Sequence, residues 1–373
     1  MTSELSSLCS YAKGKVSVDT LSKRNYVSTE NMMPNKGGIV DAGALPSAQY
    51  TQQYIKDDIL VSNIRPYFKK IWMADDDGGC SNDVLVFRAD RGCDSTFLYY
   101  ILANDAFFNY ASATSKGTKM PRGDKTAIMQ YKVPCFNYET QLRIGKLLRS
   151  IDDRIAVNKK INDNLQQQAA AFFSSLYDRS NTEVRFTDLI QILGGGTPKT
   201  GENTYWNGNI AFFTPKDVGT PYTLITEKTI SKEGLSHCNS RLYPVNTVFV
   251  TARGTVGKVG MSGVPMAMNQ SCYALVGKET HQLLVYFYTL KAVDRLKHKA
   301  SGAVFDAITT RDFESEQIMK LSDDDATAFL CVAEPMFQEI LNNNIENLRL
   351  STLRDSLLPK LMSGEIDVST VQL

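Results

Sequence analysis

The chain has 373 residues, and at about 150 residues per domain that length predicts two or three domains. Lys and Arg number 41 and Asp and Glu 40, a formal charge of +1. Near-neutrality excludes a polybasic protein that holds nucleic acid through bulk charge alone.

Hydrophobic residues make up 43% and charged residues 22%, a folding composition rather than a disordered one. Two domains of this size bury sufficient cores without disulfide or metal staples. No stretch of about 18 apolar residues occurs, so no transmembrane helix is expected. The opening MTSELSSLCSYAKGK lacks the apolar stretch of a secretory signal. Seven cysteines are scattered and none forms a C-x-x-C, which predicts reduced thiols in a cytoplasm. His237, His281 and His298 stand apart from any paired cysteines, so no zinc site and no other metal site is expected.

In chain order, Glu4–Leu8 opens the first half. The β-branched run DDILVSNIRP (57–66) ends in a turn carrying Arg65, with Lys69 and Lys70 just beyond. Asp75-Asp76-Asp77 beside two glycines reads as a solvated hairpin tip, and DVLVF (83–87) as another strand. Residues 115–125 form a loop with four basic side chains, Lys116, Lys119, Arg122 and Lys125, suited to phosphates or a groove edge.

From about 139 to 177 glycine is nearly absent and a heptad seam appears: Ile144, Leu148, Ile151, Ile155, Asn158, Asn162, Leu165, Ala169, Phe172 and Leu176. Adding 185 gives Phe329, Ala333, Met336, Ile340, Asn343, Asn347, Leu350, Arg354, Leu357 and Leu361, with asparagine at the same two places. The chain therefore repeats once. Glu4–Leu8 falls on Arg185–Leu189, an offset of 181, and residues 57–66 resemble VNTVFVTARG (245–254) at an offset of 188, which sets Arg65 on Arg253. Paired antiparallel, the helices would bring Asn158 and Asn162 to Asn343 and Asn347 and fix register. Pro335 predicts either a later helix start or a kink, Asp323–Asp325 supply first-turn carboxylates, and Gly364 predicts the helix end.

Enzymatic patterns fail. GGGTPKT (194–200) does not match G-x-x-x-x-G-K-[ST], and Gly254–Lys258 is too short for it. The first reads as a structural turn and the second as a glycine-kinked loop between strands. No Pro-Pro pair exists, so no DPPY-like base-methylating site is present, and no Ser-His-Asp or Cys-His set can be assembled. No catalytic residue is nominated. The aromatic residues Tyr67, Tyr205 and Trp206 are expected in the core. Remaining candidates for DNA contact are Lys199, Lys216, Arg253, Lys258, Lys297, Lys299 and Arg311, arginine being the better guanine reader and lysine the phosphate binder.

The segment GGGTPKTGENTYWNGNIAFFTPKDV (194–218), followed by ARGTVGKVG (252–260) and NQSCYAL (269–275), resembles a target-recognition domain of the DNA-specificity subunit of type I restriction-modification enzymes. YVSTENMMPNKGGI (26–39), SNIRPYFKKIW (62–72) and GGCSNDVLVF (78–87) resemble another recognition-domain type, and LLPKLMSGEIDV (357–368) the usual chain end. IMKLS (318–322) departs from the proline-containing strand usual there.

The resemblance implies an α+β fold: two mixed α/β recognition domains in pseudo-twofold repeat, separated by two long antiparallel coiled-coil helices. The expected boundaries are 1–138, 139–180, 181–323 and 324–373. It further implies a cytoplasmic, non-catalytic subunit that binds duplex DNA at a split site, each domain reading one half and the helices setting the spacer. Two adenine-methylating subunits and restriction–translocase subunits would be its partners. The chain itself would carry no cofactor, with S-adenosylmethionine, ATP and Mg in those partners. The alternative is a non-catalytic protein-binding scaffold or an inhibitor of a restriction system.

Overall fold

The computed structural model describes residues 2–219, 221–299 and 307–370. The chain divides into two compact units, Met1–Ile155 with Arg349–Leu373, and Ala156–Leu348, so each takes in part of both long helices.

In the first unit, strand Thr2–Glu4 pairs antiparallel with Lys132–Pro134 and ties the start of the chain to the residues before the first long helix. A four-stranded antiparallel sheet follows in the order Cys9–Tyr11, Val84–Ala89, Ile59–Ser62, Ile71–Met73. Ile59–Ser62 is buried at all four positions, as an inner strand covered on both faces must be. One face packs on helices Ser95–Ala103 and Asp105–Ala113, in a core of Leu5, Val61, Phe87, Phe97, Ile101 and Phe107. A second sheet holds Lys15–Ser17, Tyr50–Tyr54, Gly78–Cys80 and Tyr26–Val27. The acidic run Asp75–Asp77 is exposed, but strands Ile71–Met73 and Gly78–Cys80 on either side of it belong to different sheets, so it is a crossing between sheets and not the hairpin tip expected.

The second unit repeats this plan. Thr182–Arg185 pairs with Gln317–Lys320. A five-stranded sheet runs Ile190–Gly194, Cys272–Gly277, Val248–Thr251, Val259–Ser262, Tyr222–Thr223. A three-stranded sheet holds Lys228–Ile230, Trp206–Phe213 and Met266–Met268. Helix Gln282–Lys299 covers the larger sheet, with Val248, Val250, Leu275, Val285 and Phe287 in one core.

The strand registers correct the sequence alignment of the two halves. Ser62 pairs with Val84, and Thr251 with Cys272. Asn63 N–H donates to the Asp83 carbonyl, and Ala252 N–H to that of Ser271, both at 2.8 Å. Ile64 bridges Arg122, and Arg253 bridges Ala307. The offset here is 189, not 188: Arg253 matches Ile64, and Arg65 matches Gly254. Backbone angles agree, since Asp57 and Asn246 have φ of 69° and 70°, and Arg65 and Gly254 of 50° and 82°. Matching the two arginines by type concealed a loop that is one residue shorter in the second half.

The long helices span Tyr138–Tyr177 and Asp323–Ser363. Asn137 Oδ1 accepts from Thr140 N–H at 2.8 Å and Ser322 Oγ from Asp325 N–H at 3.1 Å, capping free amides at each start. The three aspartates 323–325 lie in the first turn of the second helix, where the helix dipole favours them. Gly364 (φ 77°) closes that helix, its N–H on the Leu361 carbonyl. The helix passes through Pro335, so this proline is an interior residue and not a start. Its ring is exposed.

Within the first unit Ile144 and Leu148 share a core with Leu358 and Leu361. Within the second, Ala169 and Phe173 share one with Phe329, Ala333, Phe337 and Ile340. Phe173 and Phe337, rather than Phe172 and Met336, are the fully buried members, because a straight helix drifts from a strict seven-residue repeat. Asn343 Nδ2 donates to Asn162 Oδ1 at 2.9 Å, and Asn158 Nδ2 to Asn347 Oδ1 at 3.0 Å and Glu346 Oε2 at 2.7 Å. Arg354, the charged exception in the seam, binds Asp152 at 2.6 Å, and Tyr100 Oη donates to the same carboxylate at 2.6 Å. Burial opposes the Arg354 charge, but the carboxylates of Asp152 and Asp355 outweigh it and hold its pKa above the usual value.

Candidate nucleic-acid interface

In the first unit three segments meet beyond the end of strand Ile59–Ser62. The turn after the strand is a short 3-10 helix, Pro66–Phe68, flanked by Arg65 and Lys69, both left-handed. The basic loop joins it through Arg65 N–H on the Pro121 carbonyl (2.8 Å) and Gly123 N–H on that of Asn63 (3.1 Å). The loop from Asn31 to Val40 joins it through Asn35 N–H on Phe68 O and Lys36 N–H on Lys69 O, both 2.8 Å. Thus Arg65, Lys69, Lys116 and Arg122 are assembled from positions up to 57 residues apart.

Several of these cations have acidic partners. Lys36 and Lys69 share Asp105 at 2.8 Å each, and their hydrogen bonds hold its carboxyl below the usual range. Lys116 holds Asp124 low in the same way, and Arg122 binds Asp83 at 3.0 Å. Lys70 Nζ donates to the Thr29 carbonyl at 2.6 Å. Arg65 Nε is buried without a hydrogen-bond acceptor among the described residues. Lys119 and Lys125 are exposed. Tyr67, expected in the core, is 51% exposed at the tip of the turn beside Phe68, because the left-handed residues on either side project the tip outward. No pattern of residue types signals that geometry.

In the second unit the family-like blocks converge on one groove of about 480 Å³, lined by Thr214, Pro215, Lys216, Arg253, Asn269 and Ser271 among others. Asp217 organises one wall. Its carboxylate accepts from Thr214 N–H (2.8 Å) and Oγ1 (2.6 Å) and from Glu227 N–H (2.7 Å), leaving Lys216 exposed, 3.5 Å from Glu227. The other wall is the loop between strands Val248–Thr251 and Val259–Ser262. Lys258 N–H donates to Thr251 Oγ1 at 2.9 Å, and Thr255 Oγ1 reaches the Pro215 carbonyl at 3.3 Å. Arg253 and Lys258 are exposed there.

The glycine-rich opening packs closely on neighbouring backbone. A Cβ on Gly195 would stand 2.2 Å from the Asn269 carbonyl oxygen, and one on Gly196 2.7 Å from Asn239 N. Gly195 permits close backbone packing on the NQSC segment, and Gly196 on Asn239. Tyr205 and Trp206 are half-buried. Tyr205 stacks on His237 at 4.9 Å, and Trp206 donates to the Lys199 carbonyl at 3.1 Å with Lys228 over its ring.

Other candidates lie apart from the groove. Lys297 and Lys299 are in the last turn of helix Gln282–Lys299, not in a loop. The stem of Lys297 covers Gly257. Lys299 and Arg295 both bind Glu316, a buried carboxylate, so Lys299 has a structural partner. Arg311 is exposed in helix Thr310–Ser315. Among the described residues no group of three or more His, Cys, Asp or Glu could hold a metal ion, and no helix is long and apolar enough to cross a membrane.

Two structurally equivalent units, each offering a basic loop edge, define a bipartite recognition protein. The chain belongs to the family of type I restriction modification DNA specificity domains, whose model matches residues 1–167 and again 179–320. It is similar to the type I restriction enzyme HindI specificity subunit of Haemophilus influenzae, 23% identical across 91% of this chain and 94% of that one. It is also similar to the EcoR124I/EcoR124II specificity subunit of Escherichia coli, 29% identical over 42% of each chain. The crystal structure of the S subunit of a type I restriction-modification system from M. genitalium shares the fold, with a TM-score of 0.64 and 14% identity across 97% of this chain and 96% of that one.

Proposed function

We propose that this chain is the non-catalytic, sequence-specific DNA-binding subunit of a cytoplasmic type I restriction-modification complex. The observation that carries this reading is the repeat of one loop position, after the strand ending at Ser62 and again after that ending at Thr251, with basic side chains around it each time. Residues 1–138 and 181–323 would each read one half of a split duplex site. Arg65, Lys69, Lys116, Lys119, Arg122 and Lys125 would serve the first half; Lys216, Arg253 and Lys258, with Lys199, Lys297 and Arg311 further out, would serve the second. Lysines would bind phosphate, and arginines, with five donors in a planar fork, would read guanine edges or hold phosphate. Adenine methylation and restriction would belong to partner subunits, which would also hold S-adenosylmethionine, ATP and Mg. The near-neutral chain would leave much of the phosphate grip to them.

The test is methylome sequencing of a host with and without this gene, followed by exchange of residues 1–138. One half-site should change and the other stay. A swap that alters both, or neither, overturns the modular reading. Deleting about seven residues from each long helix should change the spacer between half-sites. The alternative, a scaffold that binds protein only, requires that the reconstituted complex show no sequence-specific, salt-dependent duplex binding.

A further inference from the structure

We propose that the Tyr67–Phe68 tip of the first unit is an apolar wedge that enters the base stack of duplex DNA at its own half-site, a contact made in addition to any base extruded by the methyltransferase subunits. The inference rests on the DNA-reading function above. Tyr67 and Phe68 are 51% and 39% exposed, with ring centroids 4.8 Å apart. Adjacent aromatic rings left in water on a loop tip mark a contact surface rather than a folding element.

The backbone beneath them is fixed. Pro66 is buried, Phe68 N–H is bonded to the Arg65 carbonyl at 3.0 Å, and the Phe68 and Lys69 carbonyls are held by the amides of Asn35 and Lys36. A rigid tip loses little entropy on binding. Beside the rings stand cations in excess of the acid that holds them: Lys70 over the Phe68 ring at 6.0 Å, and Lys36 and Lys69 sharing the single carboxylate of Asp105. An apolar tip with a basic rim complements a surface that is apolar inside and anionic at its edges. A duplex with one base step pried open has that character, and apolar side chains are known to wedge such steps. Among the described residues the loop of the second unit that corresponds to this turn has no aromatic pair. That loop carries Gly254, Thr255 and Val256, with Val256 packed against the core.

The experiment uses the complex reconstituted with its methyltransferase subunits. The duplex carries 2-aminopurine in turn at positions in and beside both half-sites, other than the methylated base. Fluorescence should rise on binding in the half-site assigned to residues 1–138, and the part of that rise that depends on the tip reports the wedge, because base extrusion by the methyltransferase subunits is independent of it. Y67A/F68A should lower the rise in the first half-site, leave the signal of the other half-site unchanged and weaken specific binding roughly tenfold or more, with little change in thermal stability because both side chains are exposed. An undiminished rise in the first half-site overturns the wedge. Y67L/F68L, which keeps an apolar tip, should retain part of the rise and of the binding. Specific binding by the wild type without any rise in the first half-site overturns the wedge and leaves the DNA-reading function standing. Variants that bind DNA normally but lose methyltransferase assembly overturn it in favour of a protein contact. No specific binding by the wild-type complex overturns both readings.

Discussion

Arg65 and Gly254 occupy the same position after the central strand of their units, and both hold a positive φ, 50° and 82°. Glycine adopts that angle freely, whereas a side chain there costs about 1–2 kcal/mol. One unit uses the unstrained residue. The other keeps an arginine, a pattern expected where the side chain itself is needed.

The first prediction follows. Arg65→Gly should relieve strain but add flexibility to the unfolded chain, which costs about 0.5–1 kcal/mol. The net expectation is a gain of about 0.5–1 kcal/mol in stability with weaker binding at the first half-site. Chemical denaturation and binding to the mapped site measure the two effects. A variant that loses stability would show that the Arg65 side chain supports the fold.

The asparagine layer makes a second. Asn162 Oδ1 accepts from Asn343 Nδ2 at 2.9 Å, and both residues are buried. Asn162→Leu leaves the Asn343 amide without that partner and should cost about 1–3 kcal/mol. Replacing both by leucine should recover most of the loss, since an apolar pair suits the seam, while weakening its register. A double-mutant cycle in urea reads the coupling, and additive losses would refute it.

A third concerns the glycine run. Gly194 has open space where a Cβ would stand, whereas at Gly195 the Cβ would stand 2.2 Å from the Asn269 carbonyl oxygen. Gly195→Ala should therefore cost about 1–3 kcal/mol through forced backbone movement, and Gly194→Ala far less. Thermal unfolding of the pair decides it. Equal effects would mean that Gly195 serves no close approach.

Thiol reactivity provides the fourth. Burial pushes the Cys80 and Cys272 thiols up to about 12, so almost no thiolate is present at pH 8. Cys135 and Cys331 are exposed. Iodoacetamide at pH 8 should modify Cys135 and Cys331 first, and Cys80 and Cys272 only after denaturation, as read by mass spectrometry. Early labelling of Cys272 would show that its sheet opens locally.

Much of the architecture was legible in the residues. The seam of the two helices, with its paired asparagines, depends on a periodicity that survives divergence, because buried faces constrain residue type at fixed spacing. The strands at 57–66 and 245–254 were legible for the same reason. Their mutual register was not: the arginines suggested Arg65 against Arg253, and only the hydrogen-bonded ladders placed Arg65 on Gly254. The site was legible as clusters of cations, but not as surfaces. Lys299 proved to be bound to a buried glutamate, and Tyr67, assigned to the core by its type, stands in solvent.

What the sequence determined by itself is the repeat, the two long helices, the strands and the family likeness. All of these arise from local periodicity and short contiguous blocks. The tertiary structure decided which cations are engaged by carboxylates, which glycines carry a close approach, and where the turn after Ser62 points its aromatic rings. Those depend on backbone angles at single residues and on contacts between segments distant in the chain, which residue types at fixed spacing do not encode.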